Sequence, residues 1–383
     1  MKFLITGGLG FIGQTLIPKL LADPQNSIVV LDKLSEQVHG TNPDIQHVTN
    51  SSRLQFVRDD ICNREAIQTL LPGVDVVYHL AAETGTGQSM YDIENYFRTN
   101  VQGTAVLLEA IVKNTASRPK AFVLASSRSV YGEGAYVSEK NAGKIGASRH
   151  FPSGRIVADM ERGHFDFSFE GEKLVPVPTL ETDELKPQSL YAASKLAQEH
   201  MCQIACASVG IHYTALRFQN VYGPGQSLRN PYTGIISIFT NILRQGRSID
   251  IFEDGAESRD FVFVEDVVTA LCAAPNRGSH TPFIINVGCG KPTSVMHLAE
   301  LLQKKLGVSG KARVSGRFRP GDIRHCYADI QLMQNVLGIS HLTGLEEGLS
   351  KTVDWALTQP IEIDRSEKAT AELANLIKAE SKK

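Results

Sequence analysis

The sequence has no surplus of charge of either sign: 39 lysines and arginines stand against 41 aspartates and glutamates, a formal net charge of −2 over 383 residues. That balance argues against nucleic acid or an anionic membrane as the partner. It has no apolar run of membrane-spanning length. Its start, MKFLITGGLGFIG, breaks into glycines too early for a secretory signal. Six cysteines are scattered at Cys62, Cys202, Cys206, Cys272, Cys289 and Cys326, with no Cys-x-x-Cys pair among them. Cys202 and Cys206 fall on one helix face, but no further ligand cluster stands near them. The reading is therefore no metal, with thiols kept reduced in a cytoplasmic setting. No internal repeat is visible. What remains is a chain long enough for one large domain or two closely joined ones.

The first half alternates short apolar runs with helical patterns. KFLIT, SIVVLD, LQFVRDD, VDVVYHLAA and AFVLASS read as strands, and their alternation with helices is that of a parallel sheet covered on both faces. Residues 133–186 break the rhythm with Gly, Ser, Lys and charged residues, with LVPVP near the end. They read as a long, partly irregular insertion able to fold over a site. Helix resumes from Ser189 to Ser208, followed by a strand, HYTALRF. From Pro224 the pattern is more mixed, as in a smaller α+β lobe, and the tail from Ser366 reads as a solvent-facing helix with frayed ends.

Directly after the first strand, Thr6-Gly7-Gly8-Leu9-Gly10-Phe11-Ile12-Gly13 opens a helix. Glycines at 7, 10 and 13 permit a tight turn, close approach to a diphosphate and tight helix–strand packing, while the helix N-terminus aims free N–H groups at the anion. Such a motif alone is weak, but a second strand ends at Asp32, where a carboxylate would accept hydrogen bonds from an adenosine ribose. An acid there repels a 2′-phosphate, so NAD is expected rather than NADP. Asp60-Ile61, ending the third strand, suits an adenine amino group.

Tyr191 and Lys195 lie four apart in SLYAASKLAQEH, hence on one helix face. A free tyrosine, with a pKa of ~10, is a poor base at neutral pH. A nearby ammonium and a positively charged nicotinamide ring would favour its phenolate. The spacing is common in helices, and it gains meaning only beside the glycine loop, Asp32 and the Ser126-Ser127 strand end.

Together, TGGLGFIG, HLAAETGTGQS, LASSRSVYG, YAASK, RFQNVYGPGQS, SRDFVFVEDV and RPGDIR resemble the extended short-chain dehydrogenase/reductase superfamily in its nucleotide-sugar epimerase/dehydratase branch. They keep that branch's order from Met1 to about residue 357. The resemblance implies an α/β fold: a Rossmann-type doubly wound parallel sheet over residues 1–222, with the insertion at about 133–186, then a smaller α+β C-terminal substrate lobe occupying mainly 223–360 and a helical tail at 361–383. It matches Ser127, Tyr191 and Lys195 to the catalytic hydroxyl, base and lysine. It matches Gly7, Gly10, Phe11, Ile12, Asp32, Lys33, Asp60, Ile61, Leu80, Ala81, Ala82, Asn100 and Phe218 to the NAD site, to which Tyr191 and Lys195 also contribute.

In dehydratases of this branch the two residues after the catalytic hydroxyl resemble Asp-Glu, a pair that removes a hydroxyl group. Here they are Arg128 and Ser129, which cannot act as acid and partner base. No glutamate of the decarboxylating relatives stands between Ser127 and Tyr131, and the Cys/His pair of the epimerase-reductases is not evident. The chemistry left is inversion: a base takes a sugar hydroxyl proton, hydride goes to NAD, the ketone turns over and hydride returns on the other face. SSRSVYGEG, GTGQSM, LVPVP and GPGQSLRNPYTGI are similar to the branch's dTDP-L-rhamnose 4-epimerases, although such relatives often carry cysteine pairs in the insertion and this one has none.

The substrate, a nucleotide-diphosphate sugar, is expected to be held by its diphosphate. Arg259 and Arg324 are candidates because guanidinium pairs with phosphate. Thr84, Ser127, Arg128 and Asn220 are placed on the sugar side, with Arg128 open to a bland reading as a structural arginine. Gln219 is expected near the nicotinamide beside Phe218, and Asp260 and Asp266 as loop-orienting acids. The resemblance also implies a homodimer through helices near 90–114 and 189–208. The alternatives are an NAD(P)H-dependent 4-keto-sugar reductase, a UDP-hexose 4-epimerase, or a non-catalytic NAD-binding regulator.

Overall fold

Strands that are apolar at nearly every position have two faces to bury, and they fit only a sheet covered on both sides. KFLIT, SIVVLD and AFVLASS are of that kind. The computed structural model describes residues 1–40, 45, 49–230, 232, 234–275, 283–319 and 321–362. In it these runs become β1 (Lys2–Thr6), β2 (Ser27–Asp32) and β5 (Ala121–Ser127), with β3 (Leu54–Arg58) and β4 (Val76–His79) between the last two. The insertion contributes β6 (Ala135–Ser138), β7 (Ser168–Phe169) and β8 (Glu172–Val177). Then come β9 (His212–Phe218), β10 (Asn220–Tyr222), β11 (Ile249–Ile251), β12 (Ser258–Phe263), β13 (Phe283–Val287), β14 (Pro292–Ser294), β15 (Ala312–Val314) and β16 (His325–Cys326).

The central sheet has seven strands in the order β13-β9-β5-β4-β1-β2-β3, every neighbouring pair parallel. The order reverses direction between β1 and β4, and in doubly wound sheets ligands bind beyond the carboxyl ends of the strands at that point. One core lies on each face of the sheet. β3 closes an edge, and its residues are only partly buried, as its more polar sequence LQFVR suggests.

The insertion is more ordered than its composition implies. β8 pairs antiparallel with both β6 and β7, and a short helix covers Val157–Glu161. The C-terminal lobe has its own core, formed by the helices Ile235–Arg244, Val295–Leu306 and Leu345–Thr358 with β11 and β12. Residues beyond 223 do not all stay in that lobe: β13 joins the central sheet, and the helix Val264–Ala273 packs its Val267, Val268 and Leu271 into the same core as Leu16, Ile17 and Leu20. The tail from residue 363 lies outside the described residues.

Candidate active site

A cavity of about 1070 Å³ opens across the carboxyl ends of β1, β2, β4, β5 and β9 and continues into the C-terminal lobe. At its first end Gly7 has φ +67°, and a Cβ there would sit 2.7 Å from Ala81 Cα and N. A Cβ on Gly13 would lie 2.3 Å from Gly8 O, so both glycines are required by close approach. The helix Phe11–Leu21 starts after Gly10 with no side chain capping it, which leaves first-turn N–H groups for an anion. Phe11, Ile12 and Gly13 line the cavity there.

Asp32 ends β2 on the wall, 8 % exposed. Its Oδ2 accepts from Leu9 N at 3.0 Å and its Oδ1 from Leu34 N at 2.8 Å, which fixes the carboxylate and leaves lone pairs facing the cavity. Lys33 also lines the cavity and pairs with Glu83 at 2.6 Å. Ile61, Leu80, Ala81 and Ala82 complete this end, and the Thr99 hydroxyl, buried there, has no partner among the described residues. A turn that only glycine fits, an uncapped helix end, a fixed carboxylate and an orphaned hydroxyl fit an adenine dinucleotide such as NAD.

Two expected cofactor residues are not on the wall. Asp60 turns its carboxylate to Arg98 at 3.2 Å and Cys62 N at 2.9 Å, and Asp59 takes the wall position. Asn100 is fully buried; it accepts from Glu83 N, donates to Glu83 O, and donates to Ser194 Oγ at 2.9 Å. It ties the Glu83 loop to the long helix.

That helix, Leu190–Ser208, is capped by Ser189, whose Oγ accepts from Ala192 N. It brings Tyr191 and Lys195 to the cavity beside Ser127 at the end of β5. Lys195 Nζ donates to Ala125 O at 2.9 Å and lies 6.0 Å from the Tyr191 ring centre. Burial pulls the Lys195 ammonium down to about 8. Burial pushes the Tyr191 phenol up from its ordinary value, opposed by a hydrogen bond with Ser127 and by the charge of Arg128. Arg128 is thus a second cation acting on the phenol, besides the expected Lys195.

A buried network braces these groups. Glu199, one turn past Lys195, accepts from Ser126 Oγ and, with its two oxygens, from Arg217 Nε at 2.9 Å and Nη2 at 2.8 Å. Arg217 Nη1 donates to Tyr131 OH, which donates to Asn286. Neighbouring strands and the helix are thereby locked in register around Ser127, Tyr191 and Phe218.

At the second end, Arg128 Nε donates to Asn220 Oδ1 at 3.0 Å, so its partner is an amide on the same wall and not a loop acid. Thr84, Gln219 and Arg259 line the wall too. The Arg259 guanidinium donates to the Ser258, Arg324 and Ile323 carbonyls. Arg324, expected to hold the diphosphate, is not on the wall. It is 1 % exposed, and its guanidinium bonds Asp254 at 2.7 Å, Asp166 at 2.9 Å and Glu253 at 3.0 Å. It is spent on carboxylates. The wall cations that sequence reading missed are Arg247, Arg313, Arg317 and Arg319, of which Arg317 and Arg319 stack on Phe252 at 5.0 and 4.4 Å. The arginine spacing in ARVSGRFRPGD was the available signal. Asp260 accepts from Cys289, Gly290 and Ala328 N–H groups and Asp266 from Thr343, both as loop-orienting acids. Among the described residues no helix is long and apolar enough to cross a membrane.

Comparison with known proteins matches the model of the NAD dependent epimerase/dehydratase family to residues 3–153 and 171–288. The chain is 36% identical over 356 residues to a dTDP-L-rhamnose 4-epimerase of Burkholderia thailandensis, covering 92% of this chain and 94% of that one. It is 31% identical to a UDP-glucose 4-epimerase of Mycolicibacterium smegmatis, covering 93% and 98%. Among solved structures, the UDP-glucuronic acid 4-epimerase of Bacillus cereus in complex with UDP-glucuronic acid and NAD superposes with a TM-score of 0.75 at 27% identity, over 93% of this chain and 98% of that one.

Proposed function

The chain belongs to the NAD dependent epimerase/dehydratase family, and from that premise we propose that it is an NAD-dependent nucleotide-diphosphate-sugar 4-epimerase acting on dTDP-L-rhamnose and its C4 epimer. One observation carries the reading. Ser127, Tyr191 and Lys195 meet on the cavity wall, while the two positions after Ser127 hold Arg128 and Ser129 and offer no carboxyl group. With a base beside Ser127 and no carboxyl group at the two positions that follow it, the site can take a proton from a hydroxyl but lacks the adjoining acid and base that would expel one as water. The 36% identity to a dTDP-L-rhamnose 4-epimerase supports the sugar.

NAD would rest on Gly7, Gly10, Phe11, Ile12, Asp32 and Lys195, and when bound it supplies reversible hydride acceptance. The chain's own residues do the rest. Tyr191 takes the proton of the sugar's 4-hydroxyl and later returns it, with Ser127 bonded to its oxygen and orienting it. The Arg128 charge favours the phenolate. The Arg128–Asn220 pair borders the sugar, and Arg259, Arg317 and Arg319 are the cations for the diphosphate. Holding the substrate by its diphosphate leaves the keto sugar free to turn over. The family resemblance adds a homodimer through helices near 90–114 and 189–208, on which Met90, Ile93 and Ile204 are exposed. The six free cysteines suit a reducing cytoplasm.

The test is proton NMR at C4 on purified protein with no added cofactor, incubated separately with dTDP-L-rhamnose and UDP-hexoses. Conversion of dTDP-L-rhamnose to its C4 epimer is expected. Conversion only of a UDP-hexose would overturn the sugar, and no conversion until NADH and a 4-keto sugar are supplied would make the chain a reductase.

A further inference from the structure

One side chain on the cavity wall has hydrogen-bonding capacity that nothing uses. Gln219 is 4 % exposed and lines the cavity, and neither its Nε2 nor its Oε1 has a hydrogen-bond partner among the described residues. Its backbone N–H is already committed to Val287 O at 2.9 Å. Its stem is held in place: a Cβ on Gly288 would meet Gln219 Cγ at 2.7 Å. A buried carboxamide left without partners costs free energy, so a group in this condition on the wall of a site is waiting for a ligand atom. The Ser129 hydroxyl shares the condition, 8 % exposed, on the same wall and without a partner. Ser127 pairs with Phe218 across β5 and β9, so Ser129 and Gln219 leave adjacent strand ends just beyond that pair.

We propose that Gln219 is a specificity-determining residue, its carboxamide reading a hydroxyl group of the substrate's sugar with Ser129 as the lesser partner; this rests on the nucleotide-sugar reading above. The chemistry selects the ligand group. A carboxamide offers both donors and an acceptor. A hydroxyl answers both, whereas a carboxylate or phosphate answers only the donors and turns its charge on Oε1. The site is therefore matched to a neutral sugar and mismatched to a uronic acid. The phosphates have their own cations elsewhere on the wall, at Arg259, Arg317 and Arg319.

The experiment compares the full chain with Gln219→Met, which keeps the unbranched stem and loses both polar atoms, and Gln219→Glu, which keeps the shape and loses the donors. For each, bound NAD per chain is measured, and calorimetry gives affinities for dTDP, UDP, dTDP-L-rhamnose and UDP-glucose. NAD content and nucleotide affinity are expected to stay at wild-type levels, while the better-bound nucleotide sugar weakens about tenfold in both variants. Loss of NAD would overturn the proposal by placing the carboxamide against the nicotinamide. Unchanged sugar affinity in both variants would overturn it as well, as would a wild type that binds nucleotide and nucleotide sugar equally. These readouts are binding differences, so they stand apart from whether the wild type epimerises its sugar, on which the functional reading itself depends.

Discussion

A cation beside a phenol favours the phenolate, and a buried phenol without one stays protonated. Tyr191 has both influences: burial raises it, and the Ser127 hydrogen bond and Arg128 charge lower it. If Tyr191 is the base, kcat/KM rises with pH along a limb that reports its ionisation. Arg128→Met removes the charge, so the limb should move to higher pH by about one unit. Tyr191→Phe should abolish the limb and nearly all turnover while NAD stays bound. A limb unmoved in Arg128→Met would separate Arg128 from the proton transfer. At this scale the meeting of Tyr191, Lys195, Ser127 and Asp32 on one cavity wall was legible, because each stands at a recognisable strand end or helix face. Arg324 was not. RPGDIR carries no trace of Asp166, Glu253 and Asp254, which arrive from distant segments and consume the guanidinium.

The network around Arg324 joins the insertion to the C-terminal lobe, and its acids titrate as a consequence of that joining. Glu133 follows the turn after β5, is 1 % exposed, and accepts Arg324 N at 2.6 Å. Burial pushes its carboxyl from 4.5 up to about 7, against the lowering effect of that bond and of Arg155 and Arg259. Because the folded value is the higher one, the stabilising contribution is complete below the unfolded value and is lost as pH rises through the folded one. The window is therefore between roughly pH 4.5 and 7. Glu133→Gln does not titrate there, so its melting temperature relative to wild type should climb from pH 5 to pH 8. The change has an upper bound of about 3 kcal/mol, at about 1.36 kcal/mol per unit. Parallel pH curves for the two proteins would refute the assignment. The insertion read as irregular because β6, β7 and β8 are short and Gly-rich turns dilute their pattern; to their pairing the structure adds ion pairs with the lobe, which no window of sequence contains.

The whole molecule is divided less sharply than its sequence suggests. A change of composition after Pro224 marks the lobe, yet β13 returns to the central sheet and the helix Val264–Ala273 packs into the sheet's own core. The alternation of strands and helices made the sheet legible, while the return crossing was hidden because β13 is as apolar as a lobe strand would be. Two bodies joined through β13, the helix Val264–Ala273 and a common cavity should unfold together. A ligand that bridges them then stabilises both, by about 2.7 kcal/mol when present at about a hundred times its Kd. Calorimetry of the purified protein should show one transition, and saturating dTDP-L-rhamnose should move all of it upward by several degrees. dTDP alone should do much of this, since the cations proposed for the diphosphate, Arg259, Arg317 and Arg319, come from the lobe side of the same wall. A second transition that stays in place as ligand is added would mean that the lobe and the sheet are separate cooperative units. The crossing of β13 would then be a connection without the energetic coupling argued here.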